Sequence, residues 1–290
     1  MLKNLLSLKE LETGEIRRIL SVAQSFRDGA AVPSFANRIA CNLFFEPSTR
    51  TQYSFQIAEE KLGLRVISFN PESSSLAKKE TFYDTIKVFD CFHPDLLVIR
   101  AHTRYYDELL GHIDTPVISG GDGTGDHPTQ SLLDLLTIQQ EFGGFDGVRV
   151  AIIGDIRHSR VAHTNYEVMQ RMGMDVCVSG PEEYMEEGLR FVEFEKAVRE
   201  SDVVMMLRIQ FERHEKDGEM TAAEYLRSYG LTEARAESMK QGAIIMHPAP
   251  FNRNVEIADA VVEHPRSRIF KQMENGVFVR MSAICRSLEG

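Results

Sequence analysis

The stretch FFEPSTRTQYSF, residues 44–55, leaves a run of bulky apolar residues through Pro47 and at once sets Ser48, Thr49, Arg50 and Thr51 side by side. Three hydroxyls, a guanidinium fork and the open N–H groups of a helix N-terminus form a cradle for an anion such as phosphate. The same residues also suit plain helix capping, with Ser48 or Thr49 as N-cap and Arg50 as a surface charge. Polar groups recur at comparable places along the chain. Arg100 follows LLVI, His127 and Gln130 lie in GGDGTGDHPTQ, Arg160 closes GDIRHSR, Arg208 and Gln210 lie in LRIQ, and Ala249 and Pro250 sit in the HPAPFNR turn. The familiar nucleotide motifs do not fit. There is no GxxxxGK[ST], GGDGTG lacks the GxGxxG spacing, and IIGDIRHSR has a single glycine where a dinucleotide fingerprint needs more.

Those groups need elements to hold them. Residues 14–28 carry Ile16, Ile19, Leu20, Ala23 and Phe26 at helical spacing. IACNLFFE then reads as a buried strand, followed by a helix through TQYSFQIAEEKLG that ends at Gly63. Strand RVISF, helix TFYDTIKVF, strand LLVIRA, helix YYDELLGHI and strand TPVIS continue the alternation. A second series runs VRVAIIG, helix SRVAHTNYEVMQRMG, DVCVSG, helix FEKAVRES, DVVMMLRI, a helical stretch near 221–240, and AIIMHPAP. Short apolar strands between amphipathic helices predict an α/β chain with two doubly wound parallel sheets. The helix PTQSLLDLLTIQQEFG, 128–143, is the expected link. Domains are expected at 1–130 and 131–274, with a terminal helix over 275–290 packing back on the first. In such sheets ligands bind beyond the carboxyl ends of the strands, where every group named above falls. The expected site is a cleft between the domains.

Whole-chain properties limit what the site serves. The 290 residues exceed a usual single domain, and 43% hydrophobic with 26% charged residues is a soluble globular composition. The N-terminus mixes charges into its apolar residues, and no apolar segment approaches the length of a membrane span. A net charge of −10 argues against nucleic acid as a partner, and makes a local cluster of cations more telling. Cys41, Cys91, Cys177 and Cys285 are far apart, which fits reduced thiols in a cytoplasmic protein rather than a structural zinc site.

Taken together, FFEPSTRT, HPTQSLLDL, GDIRHSRVAHTN, LRIQFERH, MHPAPFNR and IFKQMENGVFVRM resemble, in order and spacing, the catalytic chains of the aspartate carbamoyltransferase family. The resemblance covers essentially the whole chain. STRT…HPTQ is common to carbamoyltransferases and bears only on carbamoyl phosphate. The chemistry of the second substrate bears on the rest. Ornithine's ammonium calls for acidic or thiol groups, and its carbamoyltransferases typically carry a cysteine in an HCLP-like turn where this chain has HPAP. Aspartate's carboxylates call for arginine forks, which Arg160 and Arg208 offer. Each group also has a plainer reading: Arg208 as a stray surface charge, His127 as a helix cap.

The resemblance implies the roles. Ser48, Thr49, Arg50 and Thr51 hold the phosphate. Thr51, Arg100 and His127 surround the carbonyl oxygen and stabilise the oxyanion. Gln130 and the backbone at Ala249 and Pro250 bind the carbamoyl nitrogen. Arg160 and Arg208 grip aspartate, with Gln210 positioning Arg208. On the segment 72–85, otherwise readable as a solvated polar loop, Ser75 and Lys78 reach an adjacent subunit's site, which implies a homotrimer. The implied reaction is transfer of the carbamoyl group to L-aspartate, in de novo pyrimidine biosynthesis, with no metal or organic cofactor. Carbamoyl transfer to another amine and a catalytically silent binding subunit are the rival readings. Separate regulatory chains or other pyrimidine-pathway enzymes stay open as partners. Three departures from the family pattern stand out: Gln52 for a basic residue, and Lys79 and Asn254 where glycine is common.

Overall fold

Apolar strand runs such as LLVIRA and RVAII form parallel strands here because both of their faces are covered; Leu96–Ile99 and Val150–Ile153 are entirely buried. The computed structural model describes residues 4–74, 79–123, 125–209 and 220–289. It divides into two compact units, Met1–Leu136 with Met273–Gly290, and Thr137–Gln272.

Unit 1 is built from α1 (Thr13–Arg27), β1 (Ile39–Phe44), α2 (Thr49–Lys61), β2 (Arg65–Ser68), α3 (Phe82–Cys91), β3 (Leu96–Ala101), α4 (Tyr106–Leu109) and β4 (Val117–Asp122). Its all-parallel sheet runs β2-β1-β3-β4. The chain first winds from β1 out to β2, then returns past β1 to β3. Between the carboxyl ends of β1 and β3 the connections therefore diverge and leave a crevice, the usual ligand position in such sheets. Phe45, just after β1, is anchored against Phe69 and Phe82 with ring centroids 5.2 and 4.6 Å away, which fixes where the following PSTRT segment starts.

Helix α5 (Pro128–Phe142) leads into unit 2, which holds β5 (Arg149–Ile153), α6 (Arg160–Arg171), β6 (Asp175–Ser179), α7 (Phe194–Glu200), β7 (Val203–Met206), α8 (Ala222–Tyr229), α9 (Glu233–Ser238), β8 (Ile244–Met246) and α10 (Asp259–Val262). The order β6-β5-β7-β8 repeats the winding of unit 1, with its switch point between β5 and β7. The expected helical stretch near 221–240 is two helices separated at Gly230, and α11 (Ile269–Leu288) starts earlier than the NGVFV motif suggested. The part of α11 in unit 1 is tied to α1 by Ser282 Oγ donating to Ile19 O (2.8 Å) and Arg286 Nε to Glu15 Oε1 (2.6 Å).

Candidate active site

Ser48, Thr49, Arg50 and Thr51 form the start of α2, at the switch point of unit 1. Ser48 is the N-cap, extended at φ −156° and ψ 94°, but its hydroxyl makes no capping bond, and the first turn holds no acidic residue. Thr49 and Arg50 are exposed, and Thr51 is buried. A helix N-terminus presents N–H groups and a positive dipole end; leaving it uncapped by a side chain preserves both for an anion. Ser48 thus stands at the cap without acting as one.

Arg100 is brought to this terminus by the sheet register. It pairs with Phe44 across β1 and β3, at an irregularity where the β3–β4 register shifts between Ile99 and Ala101. Such a bulge re-aims a side chain. The Nη1 of Arg100 donates to Gly120 O at 3.1 Å and to Thr51 Oγ1 at 3.5 Å, while Nε lies 2.5 Å from Glu46 Oε1. The other oxygen of Glu46 meets His102 Nδ1 at 3.1 Å. Glu46 was not singled out in the sequence; its place directly before PST was the available signal, but adjacency alone does not disclose an ion pair. The pairing holds one edge of the guanidinium and aims another at Thr51.

His127 and Gln130 are delivered by the turn after β4. Asp122 ties that turn, its carbonyl accepting from Gly125 N (2.8 Å) and its carboxylate from Asp126 N. Gly123 has φ +43°, and a Cβ there would fall 2.0 Å from His102 O, so only glycine lets the turn pass. His127 immediately precedes α5, and its carbonyl accepts from Gln130 N and Ser131 N at 3.0 and 3.2 Å. Both side chains are buried, with Gln130 Nε2 donating to Asp134 Oδ1 at 3.0 Å.

In unit 2 the corresponding residues follow β5 and β7. Arg160 is the first residue of α6, whose cap Ser159 accepts from Ala162 N at 3.2 Å, and it is half-buried. Arg208 lies two residues beyond β7, also half-buried. The next carbonyl, Ile209 O, accepts from Asn252 Nδ2 at 2.9 Å, joining that strand end to the HPAPFNR turn. In the turn, Ala249 has φ +54° and the Ala249–Pro250 peptide is cis. Ala249 N donates to His247 Nδ1 (2.9 Å), so His247 carries its proton on Nε2, which lies 3.3 Å from Glu256 Oε1. Glu256 accepts in turn from Asn252 N at 2.5 Å. His247 and Glu256 are fully buried and hold the turn from beneath. Ser75, Lys78 and Gln210 lie outside the described residues.

The sequence matches two family models, the "Aspartate/ornithine carbamoyltransferase, carbamoyl-P binding domain" over residues 3–140 and the "Aspartate/ornithine carbamoyltransferase, Asp/Orn binding domain" over residues 146–286. Among solved structures it is similar to Trypanosoma cruzi aspartate transcarbamoylase in complex with carbamoyl aspartate and phosphate, at 31% identity and a TM-score of 0.83, covering 99% of this chain and 95% of that one. The ligand-free form of the same enzyme matches at 30% identity and a TM-score of 0.86, again over 99% and 95% of the two chains. The chain belongs to the aspartate carbamoyltransferase family.

Two of the departures from the aspartate carbamoyltransferase pattern keep the backbone conformation that glycine usually serves. Lys79 has φ 69° and Asn254 φ 61°. Asn254 is suited to this, because its Oδ1 accepts from Asp259 N at 2.9 Å and closes the turn locally. Gln52, the third departure, lies in the first turns of α2, its N–H directed at Ser48 O at 3.3 Å.

Proposed function

We infer that this chain transfers the carbamoyl group of carbamoyl phosphate to the amine of L-aspartate, yielding N-carbamoyl-L-aspartate and phosphate. The observation that carries the reading is the uncapped start of α2, with Arg100 held by Glu46 and aimed at Thr51. The phosphate takes the N–H groups of α2 together with Ser48, Thr49, Arg50 and Thr51. The carbonyl oxygen, which becomes an oxyanion when the amine attacks, takes Thr51, Arg100 and His127. Gln130 and the backbone at Ala249 and Pro250 fit the carbamoyl nitrogen, and Arg160 and Arg208 fit the two carboxylates, with Gln210 positioning Arg208. No covalent nucleophile is required. The amine attacks the carbamoyl carbon, phosphate departs and accepts the amine's proton, and orientation plus charge stabilisation supply the acceleration. Product formation from carbamoyl phosphate and aspartate, with ornithine as control, tests the reading; transfer to ornithine, or to neither amino acid, overturns it.

The working unit in this reading is a cytoplasmic homotrimer in pyrimidine biosynthesis, in which Ser75 and Lys78 of one chain serve its neighbour. Supporting it, β2 is an edge strand with three of four residues exposed, Ile67 among them, beside the exposed Tyr53 and Ile57 of α2, and such an edge ordinarily needs a cover. Lys78→Ala and Arg50→Ala chains, each inactive alone, should regain activity when dissociated and reassembled together. Random mixing gives about a quarter of interfaces with an intact donor and an intact acceptor. Mixed assemblies that form but stay inactive would refute the shared site.

A further inference from the structure

Helix α11 carries Arg280 into the interior of unit 1, where only 3% of it is exposed. Its Nη1 donates to Ser54 Oγ at 2.9 Å, and its guanidinium carbon lies 5.0 Å from the centroid of the Phe55 ring. Among the described residues no carboxylate pairs with it, and its Nε is buried without a partner. The charged group that acts on it is another cation. Burial first, and then the like charge of Arg100, pull its pKa down to about 9, so it stays protonated at neutral pH. An isolated buried cation is costly and is ordinarily neutralised by a partner.

The surroundings are shaped to admit it all the same. Gly276, one turn earlier in α11, is a weak helix former in a helix interior. A Cβ there would lie 2.5 Å from Arg280 Nη1, so the glycine leaves room for the guanidinium. Ser54, which receives the guanidinium, stands three and four residues beyond Thr51 and Arg50 in α2, on the face those residues share. Arg280 therefore lies against the early turns of the helix whose N-terminus faces the phosphate, and within the field of Arg100, which is aimed at Thr51.

We propose that Arg280 is a positioning residue of the carbamoyl-phosphate site, a buried cation with no carboxylate partner among the described residues, whose counter-charge the bound phosphate supplies. Building on the reading of α2 as the phosphate cradle, it steadies the early turns of α2 through Ser54 and Phe55 and adds positive potential behind Arg50 and Arg100. Because the charge is desolvated, its attraction for an anion is little screened by salt. Phosphate binding and the stability of this buried site are thereby linked.

The test compares Arg280→Met, which keeps length without charge, with wild type in the full chain, using inorganic phosphate and then carbamoyl phosphate as probes. Calorimetry and thermal unfolding are read with and without phosphate. The ligand-free variant should unfold at or above the wild-type temperature, since it no longer buries a lone cation. Phosphate should bind about tenfold more weakly, and its stabilising effect should shrink accordingly. The aspartate KM at saturating carbamoyl phosphate should stay within about twofold of wild type. A purely structural arginine predicts the reverse, a lower ligand-free unfolding temperature with phosphate affinity unchanged, and that result overturns the proposal. Should Arg280→Met fail to fold, Ser54→Ala decides. Releasing the guanidinium should weaken phosphate by about threefold, and no change overturns the proposal. Wild type that fails to bind phosphate at all would instead remove the cradle reading, and Arg280's role with it.

Discussion

Glu59 lies on the inner face of α2, fully buried, with its Oε2 accepting from Asn42 Nδ2 of β1 at 2.7 Å. The pair joins the two elements that deliver the PSTRT segment. Burial is the largest influence on the carboxyl and pushes its pKa up to about 7 from 4.5; the Asn42 bond opposes this and the charge of Glu60 adds to it. A gap of about 2.5 at 1.36 kcal/mol per pH unit gives roughly 3 kcal/mol. Because the folded pKa lies above the unfolded one, the unfolded chain releases this proton first. The fold is favoured at low pH, and stability is lost as pH climbs from 4.5 through 7. Glu59→Gln keeps the shape and an oxygen for Asn42 but cannot ionise. The variant should match wild type near pH 4.5 and exceed it by about 3 kcal/mol at pH 8, or roughly 6–12 °C in unfolding temperature. Denaturant and thermal unfolding across pH 5 to 8 measure the difference between the two chains directly. A constant difference over that range would mean that the fold does not hold this carboxyl neutral, and the reasoning would fail.

Three further expectations follow from the site. Arg208→Ala should raise the aspartate KM by about tenfold or more while carbamoyl-phosphate affinity stays nearly unchanged, as steady-state kinetics with each substrate varied will reveal. Glu46→Gln releases the Nε edge of Arg100 and should lower kcat by about ten- to a hundredfold with little change in folding stability, because the guanidinium loses the charged partner that aims it at Thr51. Gly123→Ala forces a Cβ into His102 O and should cost about 3 kcal/mol or more, seen as a lower unfolding midpoint.

The sheets were legible in the sequence because their signals are local. Runs such as LLVI and VRVAII can satisfy their hydropathy only as strands covered on both faces, and the helices between them keep helical spacing. The cradle was legible for the same reason, since Ser48, Thr49, Arg50 and Thr51 are contiguous. Whether Ser48 caps or merely occupies the cap position was not legible, because that depends on a hydroxyl orientation set by the approach of β1 and the anchoring of Phe45. Glu46 and Arg280 were missed for a different reason. The first is recognised only through the β1–β3 register that brings Arg100 beside it, the second only through a contact with Ser54 spanning 226 residues. Arg280 did leave a trace, a lone charge inside the apolar run VFVRMSAI one turn after a glycine, but that pattern does not name its partner. The departures at Lys79 and Asn254 were visible as substitutions, while their left-handed backbone was not.

Unit 1 is assembled from the two ends of the described chain, with all of unit 2 inserted between Leu136 and Met273. During synthesis the ribosome completes the aspartate-side unit while the carbamoyl-phosphate-side unit still lacks Ser282, Arg286 and the Leu288 carbonyl that receives Arg38. Domains made first ordinarily fold first. Here the order of translation and the order of completion are reversed, and the half made earliest waits longest for the helix that completes it. A nascent chain exposed only as far as Gln272 would therefore carry a finished Thr137–Gln272 unit and a protease-sensitive N-terminal half.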